Sequence, residues 1–217
     1  MRGSAAKQQR RIVDLQTRQT AETAARTQGF LPRRTIVLVG LMGAGKTKIG
    51  RRLAARLDLP FADSDSEIEA AAGETIEEIF RNRGEAVFRD GERRVIARLL
   101  TQPVHVLATG GGAFMDAVTR DLIARRSVSV WLRADLEVLL ARVARRNNRP
   151  LLEQGDRRAV LAELIERRHP IYAEADLIID SGEGSLELTT TRVIAALTGS
   201  ERALRPPDPE PRPEIEG

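Results

Sequence analysis

The sequence predicts an α/β fold, a parallel sheet with helices on both faces. Two observations support that prediction: short apolar segments alternate with helical ones between residues 34 and 200, and a glycine-rich loop follows the first apolar segment. Parallel strands need crossover connections, most often helices, so this alternation is typical of three-layer α/β domains. With 217 residues, 41% of them hydrophobic, the chain can bury one sizeable core.

Five apolar segments are predicted to form the strands. The first, "TIVLV" at residues 35–39, is rich in β-branched residues, as buried parallel strands are. The other four strands are predicted at 59–63, 104–109, 127–132 and 176–180. Helices are predicted at 46–56, at 66–100 with interruptions near Gly73 and Gly84, at 135–145 and at 157–173.

The loop after the first strand matches a phosphate-binding pattern. Residues 40–47, "GLMGAGKT", fit G-x-x-x-x-G-K-[ST], in which backbone N–H groups at a helix N-terminus surround phosphate oxygens. The lysine reaches the β- and γ-phosphates of a nucleotide, and the threonine hydroxyl binds Mg²⁺. Only three of the 35 basic residues are lysine, so composition alone does not explain Lys46. The nucleotide is predicted to contact Gly43, Ala44, Gly45, Lys46, Thr47 and Lys48.

Two large classes of nucleotide-binding protein are not supported. A GTPase of the usual kind needs an Asn-Lys-x-Asp motif to recognise the base, and none of the three lysines follows an asparagine. A motor or AAA-type ATPase carries an apolar strand that ends in Asp-Glu. The nearest segment, "DLIID", is followed by Ser181 instead.

Composition limits the compartment and the partners. The chain has no cysteine, no apolar run long enough for a membrane span and no apolar signal segment, so we expect a cytoplasmic protein without a membrane partner. The net charge of +4 arises outside the domain, since residues 1–34 hold eight Lys and Arg against two Asp and Glu. Acidic and basic residues balance between 35 and 200, which argues against a nucleic-acid partner.

Both ends of the chain are predicted to lie outside the folded domain. Residues 1–33 form a basic arm, helical or disordered, and residues 201–217, with five of the ten prolines, form a disordered tail. The domain is predicted at residues 34–200. Catalysis should therefore not need the arm.

The segment "DSDSEIE", residues 63–69, follows the second strand. Alternate residues of an extended segment point the same way, so Asp63 and Asp65 could converge, one on Mg²⁺ and one on an acceptor hydroxyl. Taken alone, the segment fits a solvated acidic loop or a helix N-cap equally well. Because carboxyl ends of parallel strands lie at one edge, this segment should share a crevice with the loops at 40–47 and 109–113.

Three further motifs supply cations and backbone groups. In "GEAVFRDGE", Arg89 and Glu92 lie three residues apart on one helix face, and a weak surface ion pair is the alternative. The glycines of "ATGGGAF" allow a backbone to lie very close to a ligand. The segment "RRNNRPLL" fits a lid that brings Arg149 to a γ-phosphate, or a solvated basic turn.

Together these motifs resemble those of one family. The ordered set GxxGxGKT, DSDxxIE, GExxFRxxE, GGG, RPLL and RxPxY closely resembles shikimate kinase over residues 35 to about 198. The resemblance implies the P-loop kinase fold, a five-stranded parallel sheet of order 2-3-1-4-5 with a lid at about 144–157. It also implies transfer of the γ-phosphoryl group of MgATP to the 3-hydroxyl of shikimate, in aromatic amino-acid biosynthesis through chorismate. We expect shikimate and ATP as the partners of a monomer.

On the nucleotide side, the resemblance assigns roles to four residues. Lys46 would bind the phosphate being transferred, and Thr47 and Asp63 would hold the metal. Arg149, on the lid, would contact ATP and stabilise charge in the transition state.

On the acceptor side, the resemblance makes Asp65 the base, hydrogen-bonded to shikimate hydroxyls. Arg89 and Arg168 would hold the substrate carboxylate. Backbone contacts would come from Gly110, Gly111 and Gly112. The residue chemistry agrees, because a small hydroxy-acid needs an acidic group at its reacting hydroxyl and fixed cations at its carboxylate.

Two alternatives remain open. A P-loop kinase of another small hydroxylated metabolite, such as gluconate, would share many of these motifs. A regulatory sensor that binds the ligand without turnover would need an attached DNA-binding domain, and 33 polar residues are too few for one with its own core.

The segment after the last strand, "SGEGS", has no arginine, so adenine recognition should depend on backbone or lid groups.

Overall fold

The computed structural model describes residues 30–144, 156–182 and 184–207. Its sheet has five parallel strands in the order β2-β3-β1-β4-β5, which confirms the predicted order. The strands are β1 (Thr35–Val39), β2 (Phe61–Asp63), β3 (Val106–Ala108), β4 (Ser127–Arg133) and β5 (Leu177–Asp180). All five predicted strands are present. β2 starts later than predicted, because Pro60 has no N–H to add to the ladder.

Helices connect and flank the strands. Those in the described part of the chain are α1 (Lys46–Leu57), α2 (Ser64–Ala72), α3 (Ile76–Leu99), α4 (Ala117–Arg126), α5 (Leu136–Ala144), α6 (Arg157–Tyr172), α7 (Leu186–Thr198) and α8 (Glu201–Leu204). The sequence analysis missed α4, α7 and α8. Along α4 only Thr119 and Ile123 are buried, so its apolar periodicity is weak. No helix among these residues is long and apolar enough to cross a membrane.

The long helical region predicted at 66–100 is divided as expected. Gly73, with φ 68°, ends α2, and Gly84, with φ 80° and ψ 170°, interrupts α3. Both predicted interruptions are confirmed. Helix α2 starts at Ser64, two residues before the predicted start of this region, because the side chain of Asp63 caps it.

Strand β1 lies at the centre of the sheet, and all five of its residues are buried. It pairs with β3 on one side, Leu38 opposite Ala108, and with β4 on the other, Val39 opposite Trp131. The chain leaves β1 at Gly40, whose φ is 135°. A Cβ atom there would lie 2.8 Å from the Leu132 carbonyl oxygen, so the turn beside β4 requires glycine.

The predicted disordered tail is wrong for its first residues. Residues 201–204 form α8, and the chain is described as far as residue 207. Arg34 holds the chain just after this helix: it is 3% exposed and donates to the carbonyl oxygens of Arg125, Arg205 and Pro206 at 2.6, 3.2 and 2.8 Å. A buried guanidinium needs such acceptors, so Arg34 keeps the chain at residues 205 and 206 in place.

Residues 1–29 of the predicted arm and 208–217 of the tail lie outside the described residues.

A buried histidine lies beside the amino end of β1. His105 is 3% exposed; its Nδ1 lies 2.9 Å from the Pro103 carbonyl oxygen and 3.3 Å from Thr35 Oγ1. Its Nε2 has no hydrogen-bond partner among the described residues. Burial lowers the pKa of His105 below its ordinary value of 6.5, because a protonated ring would carry an unpaired buried N–H.

The free energy of unfolding should therefore fall as the pH drops below about 6.5, since only the unfolded chain then binds a proton at this side chain. The fall should stop once the pH reaches the lowered pKa of the folded state. Chemical denaturation of wild type and of His105→Asn across this range measures the effect. The variant should show the flatter profile, and equally steep profiles would contradict the prediction.

Candidate active site

The phosphate-binding loop has the predicted strand–loop–helix setting. It leaves β1 at Gly40 and enters α1 at Lys46, with Gly45 in the left-handed conformation at the N-cap. The Lys46 Nζ donates to the carbonyl oxygens of Gly40 at 2.7 Å and Leu41 at 3.0 Å. The ammonium is thereby held against the loop, so its charge lies close to the N-terminus of α1, a position that favours an anion.

Thr47 and Asp63 face each other at the start of α1 and the end of β2. The Thr47 hydroxyl donates to Asp63 Oδ2 at 2.8 Å, and Asp63 Oδ1 accepts from the Asp65 N–H at 3.1 Å. The predicted extended conformation of this segment is wrong, because α2 already starts at Ser64. Asp65 therefore belongs to the first helical turn, yet both carboxylates line the same cavity.

This cavity has a volume of about 380 Å³ and lies at the carboxyl edge of the sheet. The predicted nucleotide and metal residues that line it are Gly43, Gly45, Lys46, Thr47, Lys48 and Asp63. From the predicted acceptor side, Asp65 and Gly111 line it as well. Ala44, which is 1% exposed, is not among the residues that line the cavity, so its predicted contact with a nucleotide stays a prediction.

The triple glycine lets site side chains pack directly on the backbone. A Cβ atom on Gly110 would lie 2.6 Å from Asp65 Oδ1, and one on Gly112 would overlap the Arg89 guanidinium. The carbonyl oxygen of Gly111 accepts a hydrogen bond from Arg168 Nη1 at 3.1 Å. Each of the three glycines is thus in contact with one of the predicted substrate-binding side chains.

Arg89 is held by a buried carboxylate. Its Nη1 donates to Glu92 Oε2 at 2.7 Å, and Glu92 is 2% exposed, so the surface-pair alternative is wrong. Burial raises the pKa of Glu92, and the bond to Arg89 only partly offsets this effect. Asp65 adds to the increase in pKa because its negative charge is close. The two carboxylates lie close together, since a Cβ atom on Gly110 would be 2.6 Å from Asp65 Oδ1 and 2.9 Å from Glu92 Oε1.

Two further residues shape the site, and sequence analysis missed them. The Gly110 N–H donates to Ser64 Oγ at 3.0 Å, which ties the acidic segment to the triple glycine. Arg142, on α5, lines the cavity and donates to Ser181 Oγ at 3.2 Å and the Gly182 carbonyl oxygen at 3.0 Å. Ser64 lies within the acidic motif and could have been noticed there. Nothing local in the sequence singles out Arg142.

Two of the predicted groups are placed differently from the rest. Arg89 and Arg168 contact the triple glycine but are not among the residues that line the cavity described above, and neither are Gly110 and Gly112. Arg149 and the remainder of 145–155 lie outside the described residues, so the contact of Arg149 with the γ-phosphate stays a prediction.

The fold and the site together define a P-loop kinase. The model of the shikimate kinase family matches residues 42–198. The chain is 60% identical over 164 residues to a shikimate kinase of Paramagnetospirillum magneticum, covering 76% of this chain and 84% of that one. It is 57% identical over 164 residues to a shikimate kinase of Caulobacter vibrioides, covering 76% and 82%. The chain belongs to the shikimate kinase family.

A solved structure agrees with this assignment. The shikimate kinase from Acinetobacter baumannii in complex with shikimate matches this chain with a TM-score of 0.73 and 39% sequence identity. The match covers 82% of this chain and 99% of that one.

The packing of Arg89 on Gly112 leads to a prediction. Gly112→Ala should displace the guanidinium, which is the end of a long side chain, while the fold survives, so the KM for shikimate should rise about tenfold with little change in melting temperature. Gly91→Ala on α3 is the matched control, because a Cβ atom there meets nothing within 4 Å. Steady-state kinetics and thermal denaturation measure both. An unchanged KM in Gly112→Ala would mean that Arg89 does not need this position.

Proposed function

We propose that this site transfers the γ-phosphoryl group of ATP to the 3-hydroxyl of shikimate, a step in aromatic amino-acid biosynthesis. The observation that carries the proposal is the contact of Asp65, Arg89 and Arg168 with successive glycines of one loop, whose Gly111 lines the same cavity as Lys46. An acidic group and two cations thereby lie beside a phosphate-binding loop. A small hydroxy-acid acceptor matches that set of charges.

The phosphate side acts by position and charge. Phosphoryl transfer passes through a loose transition state, so catalysis depends mainly on alignment and on stabilising the equatorial oxygens. Lys46, held by two loop carbonyls, supplies a fixed positive charge at the mouth of the loop. Backbone N–H groups of residues 43–48 would bind the other phosphate oxygens. We assign Arg149 the same stabilising role.

The residues present fit a magnesium ion. Thr47 Oγ1 and Asp63 Oδ2 are 2.8 Å apart and both residues line the cavity, which gives one hydroxyl and one carboxylate oxygen. Mg²⁺ is commonly bound by one or two such groups together with water and substrate phosphates. When bound, the ion would neutralise charge on the β- and γ-phosphates. Thr47 and Asp63 are the residues that would hold it.

The acceptor side binds and orients shikimate. Arg89 and Arg168 would bind the carboxylate, and the buried Glu92 fixes the guanidinium of Arg89 before the substrate arrives. Asp65 would accept a hydrogen bond from the attacking hydroxyl and take its proton as the new bond forms. Because Gly110 has no side chain, Asp65 can lie this close to the loop.

An assay of ADP release with shikimate, quinate and gluconate as acceptors tests the proposal. Shikimate should give the highest kcat/KM, because it combines a carboxylate for the two arginines with a hydroxyl at Asp65. A preference for gluconate would favour the kinase alternative. Ligand binding without ADP release would favour the sensor alternative, although the position of Lys46 and Asp65 in one cavity supports catalysis.

The two arginines should act on substrate binding. Arg89→Ala and Arg168→Ala should each raise the KM for shikimate about tenfold to a hundredfold, because each charge-assisted hydrogen bond is lost. The KM for ATP should barely change. Arg94→Ala is the control, since Arg94 is an exposed neighbour on α3 paired with Asp90. A rise in the KM for ATP instead of shikimate would contradict the assignment.

Asp65 should act on turnover. Asp65→Asn keeps the shape and can hydrogen-bond a hydroxyl, but it cannot take a proton, so kcat should fall about a hundredfold while shikimate affinity changes little. Steady-state kinetics and calorimetry of shikimate binding separate the two effects. Asp121→Asn, in an exposed pair on α4, is the control. A near-normal kcat would leave Asp65 as an orienting group only.

A further inference from the structure

Tyr172 reaches from the end of α6 to the triple glycine. Its hydroxyl donates to the carbonyl oxygen of Gly111, the same oxygen that accepts from Arg168 Nη1. Arg168 and Tyr172 are four residues apart on α6 and therefore share one face of the helix. One backbone oxygen of the loop is thus bound by two consecutive turns of a helix.

Packing, rather than this hydrogen bond, fixes the tyrosine ring. Tyr172 is 0% exposed and stacks between Phe114, at 6.3 Å between ring centroids, and Trp131, at 5.8 Å. Burial raises the pKa of its hydroxyl to about 12, so the group stays a donor throughout the physiological range. The hydroxyl is therefore a rigid donor, and the Arg168 guanidinium shares its acceptor.

Some hydroxyls of the described residues bond within their own helix, whereas others reach distant segments, as Thr109 reaches Leu38 and Ser181 reaches Ala44. Ser127, Thr190 and Thr198 each donate to the carbonyl oxygen four residues earlier. The Tyr172 hydroxyl instead reaches a residue 61 positions away, in the loop that lines the cavity. Because the acceptor lies in this loop, the hydrogen bond connects the Tyr172 hydroxyl to the site.

We propose that Tyr172 is a positioning residue: by fixing the Gly111 carbonyl it sets where the Arg168 guanidinium lies for the substrate carboxylate. The inference rests on the proposed function, because it takes Arg168 to bind that carboxylate. The neighbouring Gly112 abuts Arg89, so holding the middle of the loop also sets the separation of the two arginines. A carboxylate that binds two cations at once is sensitive to that separation.

Tyr172→Phe tests the proposal, because it keeps the buried ring and removes only the hydroxyl. The KM for shikimate should rise roughly two- to tenfold, the range expected for one hydrogen bond, with kcat and the KM for ATP near wild type. Ser127→Ala is the matched control: it removes a buried hydroxyl bond of 2.6 Å to a backbone carbonyl at the opposite edge of the sheet. It should lower the melting temperature without changing the KM for shikimate.

A double-mutant cycle separates positioning from simple stability. In the Arg168→Ala background, Tyr172→Phe should add nothing to the KM for shikimate, because its effect passes through Arg168. Independent, multiplying effects, or a wild-type KM in Tyr172→Phe, would overturn the inference. Wild-type protein that fails to phosphorylate shikimate would instead overturn the proposed function, so the two failures are distinguishable.

Discussion

The rest of the site depends on close contact between the phosphate-binding loop and the triple glycine. The two loops leave neighbouring strands, β1 and β3, whose register pairs Leu38 with Ala108. Thr109 secures the junction, because its N–H and its hydroxyl both donate to the Leu38 carbonyl oxygen, at 3.2 and 3.0 Å. A Cβ atom on Gly111 would lie only 3.5 Å from the Met42 N atom. Backbone packing therefore fixes the distance between donor and acceptor halves, which in-line transfer requires.

The arginines at the site are held differently from those in surface ion pairs. On the surface, exposed pairs such as Arg94 with Asp90 lie one helical turn apart and contribute little to stability. At the site, Arg89 is held by buried Glu92 and Arg168 by a loop carbonyl. Folding has already restricted these two side chains, so binding a carboxylate costs less conformational entropy than it would with mobile side chains.

Sequence patterns predicted the backbone of the site better than its side-chain contacts. The setting of Lys46 between a strand and a helix is local, so it could be predicted. The place of Asp65 in α2 could not, since the helix start depends on a capping bond from Asp63. The contact of Tyr172 with Gly111 spans 61 residues, and no local pattern predicts so distant a partner. The hydrogen bond from Arg34 to Pro206, which joins the chain near residue 206 to the amino end of β1, could not be predicted for the same reason.

The most direct test of this account is a crystal structure of the protein with shikimate and a non-hydrolysable ATP analogue. The account predicts the carboxylate between Arg89 and Arg168, the 3-hydroxyl within hydrogen-bond reach of Asp65, and the γ-phosphate at Lys46. The hydroxyl should face the γ-phosphate across the contact between the two loops. A substrate carboxylate bound away from both arginines, or a 3-hydroxyl turned away from Asp65, would contradict the central claim that the triple glycine positions the acceptor.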